Sequence, residues 1–430
     1  MTREYAPYPA VNMNRPVIPN DELGGGQQEV VALIAQDGVA SRGVLYTPSA
    51  GAAKVGIHLI HPQADFSTHF TIPSMVRAGY TVLGHHSRYA NNDSNCIHER
   101  LILDVAAAVK RLREAGCEKV VFLGMSGGSS VAPFYQRQAR TAPPGRLTDT
   151  PAGDPLDLNG FDLPAADGVI LLTPHLGRGA TMLKWLDPSV TDENDPASYE
   201  PSIDMFHPDN GWRPAPESSS YKPEFYERFR KAQVERCRRL DRIAHERIAA
   251  RRAAAKRAAE LEAAGSLGAE WRDASRRSKI VGYMQIYRTQ ADPALADLSI
   301  DPDDRDLHCI PSPFSPRMDL VNWSTNPGAY QAPEAWLSTW SGLSTRADTI
   351  DNVSGFDDPV CVIIVGADWC TRLAEGRRIF DAVKASDKIL HTVRHQDHFN
   401  FPVLPNGGRG PRATTSIDLA IDWLKDKFQA

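Results

Sequence analysis

The sequence predicts an α/β fold, a mostly parallel sheet covered by helices on both faces and interrupted by a long, mainly helical insertion. Three observations predict it. Short apolar runs alternate with helix-forming stretches over residues 55–177, which is the signature of strand–helix–strand units. The same alternation resumes at 359 and continues to the carboxyl end. Several runs, such as VVFL and VIIV, are apolar throughout rather than alternating, as strands buried on both faces are.

Taken in order, residues 1–27 are rich in Pro, Asn and Gly and read as an irregular arm. Strands follow at 29–35 and 43–47, separated by the turn-forming Gln36-Asp37-Gly38. A short strand, VGIHLIHP, spans 55–62, a helix 70–78, and another strand 81–88. Over 97–115, Ile97, Leu101, Val105, Ala108, Val109 and Leu112 recur at helical spacing, and Gly116 is a stop signal. KVVFLGMSGGSS then runs from a strand into a glycine-rich turn with a helix behind it, and DGVILLTP (167–174) is a further strand. After the insertion come a strand at 359–368, a helix at 372–385, a strand at 388–394 and a closing helix at 413–428. The expected division is an arm (1–27), a core (28–177 and 346–430) and a cap-like insertion (178–345) over the carboxyl edge of the sheet, where open α/β sheets bind ligands.

The insertion holds one long charged helix. Val234, Cys237, Leu240, Ala244 and Ile248 give it a narrow apolar stripe, and residues 222–262 carry 13 Lys and Arg against 7 Asp and Glu. A solvated helix packed along one stripe is the plain reading. A dimerisation arm is the alternative, because so long a helix needs something to lie against; homodimer formation through it is therefore an expectation.

Bulk properties narrow the function. The chain has 430 residues, 42% of them hydrophobic and 23% charged, with a net charge of −5. A core of that size needs no metal or disulfide staple, and the charge offers no global attraction to nucleic acid or a membrane surface. Six cysteines (Cys96, Cys117, Cys237, Cys309, Cys361, Cys370) are scattered without a C-x-x-C pair, which suits reduced, packed thiols. The amino terminus has no apolar signal core and no run is long enough to cross a bilayer, so the expected location is the cytoplasm. Cofactor motifs are absent too: there is no G-x-G-x-x-G after a strand, no P-loop and no H-E-x-x-H.

What carries chemistry is Gly124-Met125-Ser126-Gly127-Gly128, a G-x-S-x-G directly after an apolar strand and before a helix. A nucleophile elbow needs small neighbours so that its serine stands exposed on a sharp turn, and the Gly127 N–H is aimed where an oxyanion forms. A serine hydroxyl is a weak nucleophile and needs a base, itself oriented by an acid. The segment after the last strand offers His391, His395 and His398. His398 lies in the loop beyond the strand and is the favoured base. Asp368, at the end of the strand before, is the favoured acid, ahead of Asp381, Asp387 and Asp397; its rival role is to cap a helix. A second oxyanion donor should come from the loop after an early strand. Pro62 cannot donate, which leaves the backbone N–H of Gln63 or Ala64. His61, Arg88, Trp185, Trp369 and Phe399 are candidate pocket residues, with Arg88 able to hold an acidic group or to serve as a structural ion pair.

In this order (strand and oxyanion loop, elbow, insertion, acid, histidine) the sequence resembles the α/β-hydrolase fold family over 29–177 and 346–430. The resemblance implies an eight-stranded sheet, no cofactor, a small-molecule substrate and a covalent acyl-enzyme. It departs from common members in the HPQA loop and the charged insertion. Cleavage of a carboxylic ester, with lactones and thioesters included, is the leading expectation, and aromatic residues of the insertion (Trp185, Phe206, Trp323, Trp340) favour an enclosed pocket. Amide or C–C bond hydrolysis on the same fold stays open, as does a non-catalytic binding protein that uses the basic helix.

Overall fold

The computed structural model describes residues 17–305, 317–324, 327–404 and 408–428. Most of the expected arm and Cys309 lie outside the described residues. Eight strands form one sheet: β1 (Gln27–Ile34), β2 (Ala40–Thr47), β3 (Val55–Ile60), β4 (Thr81–His86), β5 (Lys119–Met125), β6 (Gly168–Leu172), β7 (Val360–Val365) and β8 (Lys388–Val393). Their spatial order is β1-β2-β4-β3-β5-β6-β7-β8. Only β2 runs against its neighbours, and every pairing from β4 to β8 is parallel. This is the eight-stranded, mostly parallel sheet that the sequence predicts.

The main helices are α1 (Ile72–Arg77), α2 (His98–Glu114), α3 (Gly128–Arg140), α4 (Arg178–Trp185), α5 (Pro223–Ala263), α6 (Ala269–Arg277), α7 (Leu373–Ala382) and α8 (Thr415–Phe428). Alternate strand residues feed two cores because successive side chains point to opposite faces. Phe122 and Val362 pack with Leu101 and Val105 of α2, Phe134 of α3 and Ile379 of α7. Leu123 and Ile363 pack on the other face with Met75 of α1 and Ile421 of α8. The apolar runs of β3, β6 and β7 are buried along their whole length, which is why they read as continuous rather than alternating.

The insertion lies between β6 and β7. Its stripe on α5 is Cys237, Leu240, Ala244 and Ile248, packed on Met182 of α4, on Leu186 just past it and on Trp336, Leu337 and Trp340. Val234 is only half-buried; Gln233 and Arg236 are buried on α5 as well. They are satisfied there: the Gln233 amide donates to the carbonyl of Leu186 at 2.9 Å, and Arg236 pairs with Glu193 at 2.9 Å. Other basic residues of α5 also bond within the chain. Arg239 reaches Glu193, Arg247 the Tyr283 carbonyl, and Arg252 Asp154. The local positive charge that the sequence shows is thus largely engaged by carboxylates and carbonyls of the chain itself, most of them in the insertion.

Candidate active site

The chain leaves β3 for β4 on one side of the sheet and reaches β5 on the other, so the carboxyl ends of β3 and β5 flank a topological switch point, where such sheets bind ligands. Ile60 at the end of β3 pairs with Gly124 in β5, so the two loops that follow lie side by side.

Ser126 is the first residue after β5 and has φ = 52°. That left-handed conformation is costly for a non-glycine residue, roughly 1–3 kcal/mol, and is held only where the surroundings impose it. The glycines explain how it is reached. A Cβ on Gly124 would stand 2.6 Å from the Gly128 carbonyl oxygen, and one on Gly128 would stand 2.1 Å from the Ile60 carbonyl oxygen. Only glycine fits at both places, which is the steric content of G-x-S-x-G. The Ser126 N–H donates to the Leu172 carbonyl at 3.2 Å, which ties the elbow to β6. Among the described residues, no backbone carbonyl accepts from the Gly127 N–H.

His398 and Asp368 are brought together. His398 Nδ1 lies 2.7 Å from Asp368 Oδ2, and both side chains are buried. Asp368 is held from three further sides: the Cys370 and Thr371 N–H groups donate to Oδ1 at 2.7 and 3.0 Å, and the Thr371 hydroxyl to Oδ2 at 2.8 Å. Asp368 therefore also organises the turn before α7, but Arg372 holds the N-cap position of that helix, so the capping role that competed in the sequence is not the one it takes. With Nδ1 facing the carboxylate, Nε2 is the nitrogen left for proton transfer. Trp369 and Phe399 flank the ring, at centroid distances of 5.7 and 5.1 Å. His395 is exposed, at φ = 54°, and His391 lies within β8. Asp397 turns away to accept from the Phe399 and Phe401 N–H groups, both at 3.0 Å.

Two expectations are corrected. The N–H groups of Gln63 and Ala64 do not point into an oxyanion site; they donate to His61 Nδ1 at 3.1 and 2.7 Å. The physical reason is that the turn following β3 folds back over its own histidine ring. Arg88 is a structural cation. Its guanidinium bonds Asp104 at 2.6 Å and both oxygens of Asp37 at 2.6 and 2.9 Å. Trp185 is buried at the end of α4, where its carbonyl accepts from the Ala291 N–H at 2.8 Å, a contact inside the insertion. Trp323 is 51% exposed, with the Arg288 guanidinium over its ring at 4.2 Å.

Sequence reasoning missed the cation that does reach the site. Arg178 opens α4, and its NH2 group lies 3.0 Å from His61 Nε2. A Cβ on Gly127 would meet His61 Nε2 at 2.6 Å and the Arg178 guanidinium at 2.9 and 3.0 Å. Both groups therefore press on the residue that follows Ser126. His175, just past β6, is buried, and its Nδ1 accepts from the Gly177 N–H at 2.9 Å. Burial, with the Arg178 charge next, holds His61 and His175 well below the ordinary imidazole range, so both are neutral. The signal was in the sequence: His175 and Arg178 directly follow a strand at the carboxyl edge of the sheet.

A strained serine elbow at the switch point, a buried acid–histidine pair from the last two strands and this strand order decide the architecture. The fold is that of the α/β hydrolases. Several solved structures of that fold are similar to the chain at low identity. An esterase of Pyrococcus furiosus is 10% identical, with 95% of this chain and 96% of that chain covered, at a TM-score of 0.42. An α/β hydrolase of Penicillium sp. sh18 is 11% identical, covering 94% and 100%, at 0.46. A monoacylglycerol lipase of Paleococcus ferrophilus is 13% identical, covering 93% and 99%, at 0.41. Likenesses this distant fix neither substrate nor mechanism. No family model matches the sequence, and no curated protein does. Among the described residues, no cluster of His, Cys, Asp or Glu is arranged to hold a metal ion, and no helix is long and apolar enough to cross a membrane.

Proposed function

We propose that this α/β hydrolase cleaves a carboxylic ester, lactones and thioesters included, through an acyl-enzyme on Ser126. The observation that carries the reading is the buried 2.7 Å bond between His398 and Asp368, in a chain whose Ser126 stands on a strained glycine-flanked turn at φ = 52°. In the proposed sequence Ser126 Oγ attacks the carbonyl carbon, and its proton passes to His398 Nε2. Asp368 stabilises the imidazolium so formed and fixes its tautomer. The Gly127 N–H, with no backbone acceptor of its own, donates to the oxyanion. His398 then returns the proton to the departing alcohol, and a water, deprotonated by the same nitrogen, releases the acid.

A binding protein that uses the basic helix is less well supported, because arginines of α5 are engaged within the chain. Kinetics on a panel of small carboxylic esters test the reading. Ser126→Ala should lose turnover by at least about 10⁴-fold, and Asp368→Asn by about 10³- to 10⁴-fold through the wrong imidazole tautomer. Turnover in a folded Ser126→Ala protein within about tenfold of wild type would overturn it.

A further inference from the structure

Beside the elbow, hydrogen-bond donors converge with nothing to accept from them. His61 Nδ1 faces two backbone N–H groups, at 2.7 and 3.1 Å, so it must be the unprotonated nitrogen. The hydrogen then sits on Nε2, which faces the Arg178 NH2 group at 3.0 Å, donor against donor. Moving the hydrogen to Nδ1 only transfers the conflict to the two amides. His175 has the same polarity: its Nδ1 accepts from Gly177, and its buried Nε2 has no partner. The Arg178 Nε is also buried without a partner. Among the described residues Arg178 makes no ion pair; Asp93 acts on it only through its field. Trp340, from the insertion, lies under the guanidinium at 5.2 Å and fixes its plane.

A partly buried cation whose Nε has no partner is stable only if something supplies negative charge, and among the described residues none pairs with it. A transient oxyanion would compensate it only in the transition state. We propose that Arg178 and His61 bind a carboxylate of the substrate, so that the enzyme acts on esters carrying a free acid near the scissile carbonyl. Nearness follows from geometry, since the guanidinium edge lies 2.9–3.0 Å from where a Cβ of Gly127 would stand, one residue from Ser126. A carboxylate oxygen set between the Arg178 NH2 group and His61 Nε2, displaced from Gly127, accepts from both and removes the donor conflict, while Nε stays buried against Gly127. This substrate class rests on Ser126 being the nucleophile; the anion subsite does not.

The test uses the full chain and two readouts. In the first, kcat/KM is measured for monoethyl malonate, succinate, glutarate and adipate against neutral ethyl esters of matching length. At least one half-ester should be preferred by about 100-fold or more, and Arg178→Gln should reduce that preference by about 30-fold, the size of a lost charge-assisted pair. Arg178→Lys, which keeps the charge and loses the fork, should restore part of it. No preference for any half-ester, or an equal loss by Arg178→Gln on acidic and neutral esters, would overturn the proposal; the equal loss would make Arg178 an oxyanion donor instead. In the second, succinate and glutarate are titrated calorimetrically into Ser126→Ala protein with Arg178 intact and with Arg178→Gln. Binding that depends on Arg178 supports the subsite even if no ester is turned over. Ester turnover without dicarboxylate binding sinks the subsite alone.

Discussion

Two loops at the carboxyl edge of the sheet each present an arginine, and they resolve its charge in opposite ways. After β4, Arg88 is clasped between Asp37 and Asp104, with bonds of 2.6–2.9 Å, and its own N–H donates to Asp104 at 2.8 Å. After β6, Arg178 meets a neutral histidine, an indole face and the glycine beside Ser126, and no ion pair is formed among the described residues. The first arrangement is complete without a ligand. The second is complete only with one. Residue type and position in the fold are nearly the same in the two cases, so what separates a structural arginine from a functional one is the neighbouring carboxylate.

Stability measurements sharpen that contrast most strongly. Arg88→Gln leaves two acids, one fully buried, without their cation and should cost about 3–5 kcal/mol in denaturant unfolding. A loss under about 1 kcal/mol would mean that the clasp is a weakly coupled surface network. Arg178→Gln removes a charge that no described residue pairs, so its unfolding midpoint should equal or exceed that of wild type. A clear loss would show that an acid pairs with Arg178 in solution, and the two arginines would then be alike.

A smaller effect concerns a carboxylate near the same insertion. Glu99 is buried against Ser338, whose hydroxyl donates to Oε2 at 2.6 Å, and burial pushes its pKa up to about 7. Folding therefore favours the protonated form. The contribution is fully present below the unfolded value near 4.5 and is lost as pH rises through about 7. Wild type should lose about 2–3 kcal/mol between pH 5 and pH 8 from this group, and Glu99→Gln should remove that part of the slope. Identical pH slopes for the two proteins would show that Glu99 is ionised in the fold.

The contrast also shows where sequence reading stops. Apolar runs and glycine signals located the strands to within a few residues, because burial on both faces and left-handed turns leave local traces. The elbow was legible for the same reason: Gly124 and Gly128 are required by clashes with adjacent backbone. Asp368 and His398 could be singled out from chain order and strand ends. Pairing across long separations left no such trace. Nothing local in the sequence says that Arg88 meets Asp37 while Arg178 meets no acid among the described residues, or that the His61 ring collects the amides of Gln63 and Ala64. Likewise, the basic surplus of α5 reads as a charged surface until Glu193 and the Tyr283 carbonyl are seen to receive it.

Fluorophosphonate labelling read by intact mass, on wild type and on Ser126→Ala, tests the central claim most directly. The account predicts one adduct per wild-type chain, located on the peptide that contains Ser126, and none on the variant. A well-folded wild type that takes no label, or a variant that takes it equally, would contradict an activated serine at this elbow.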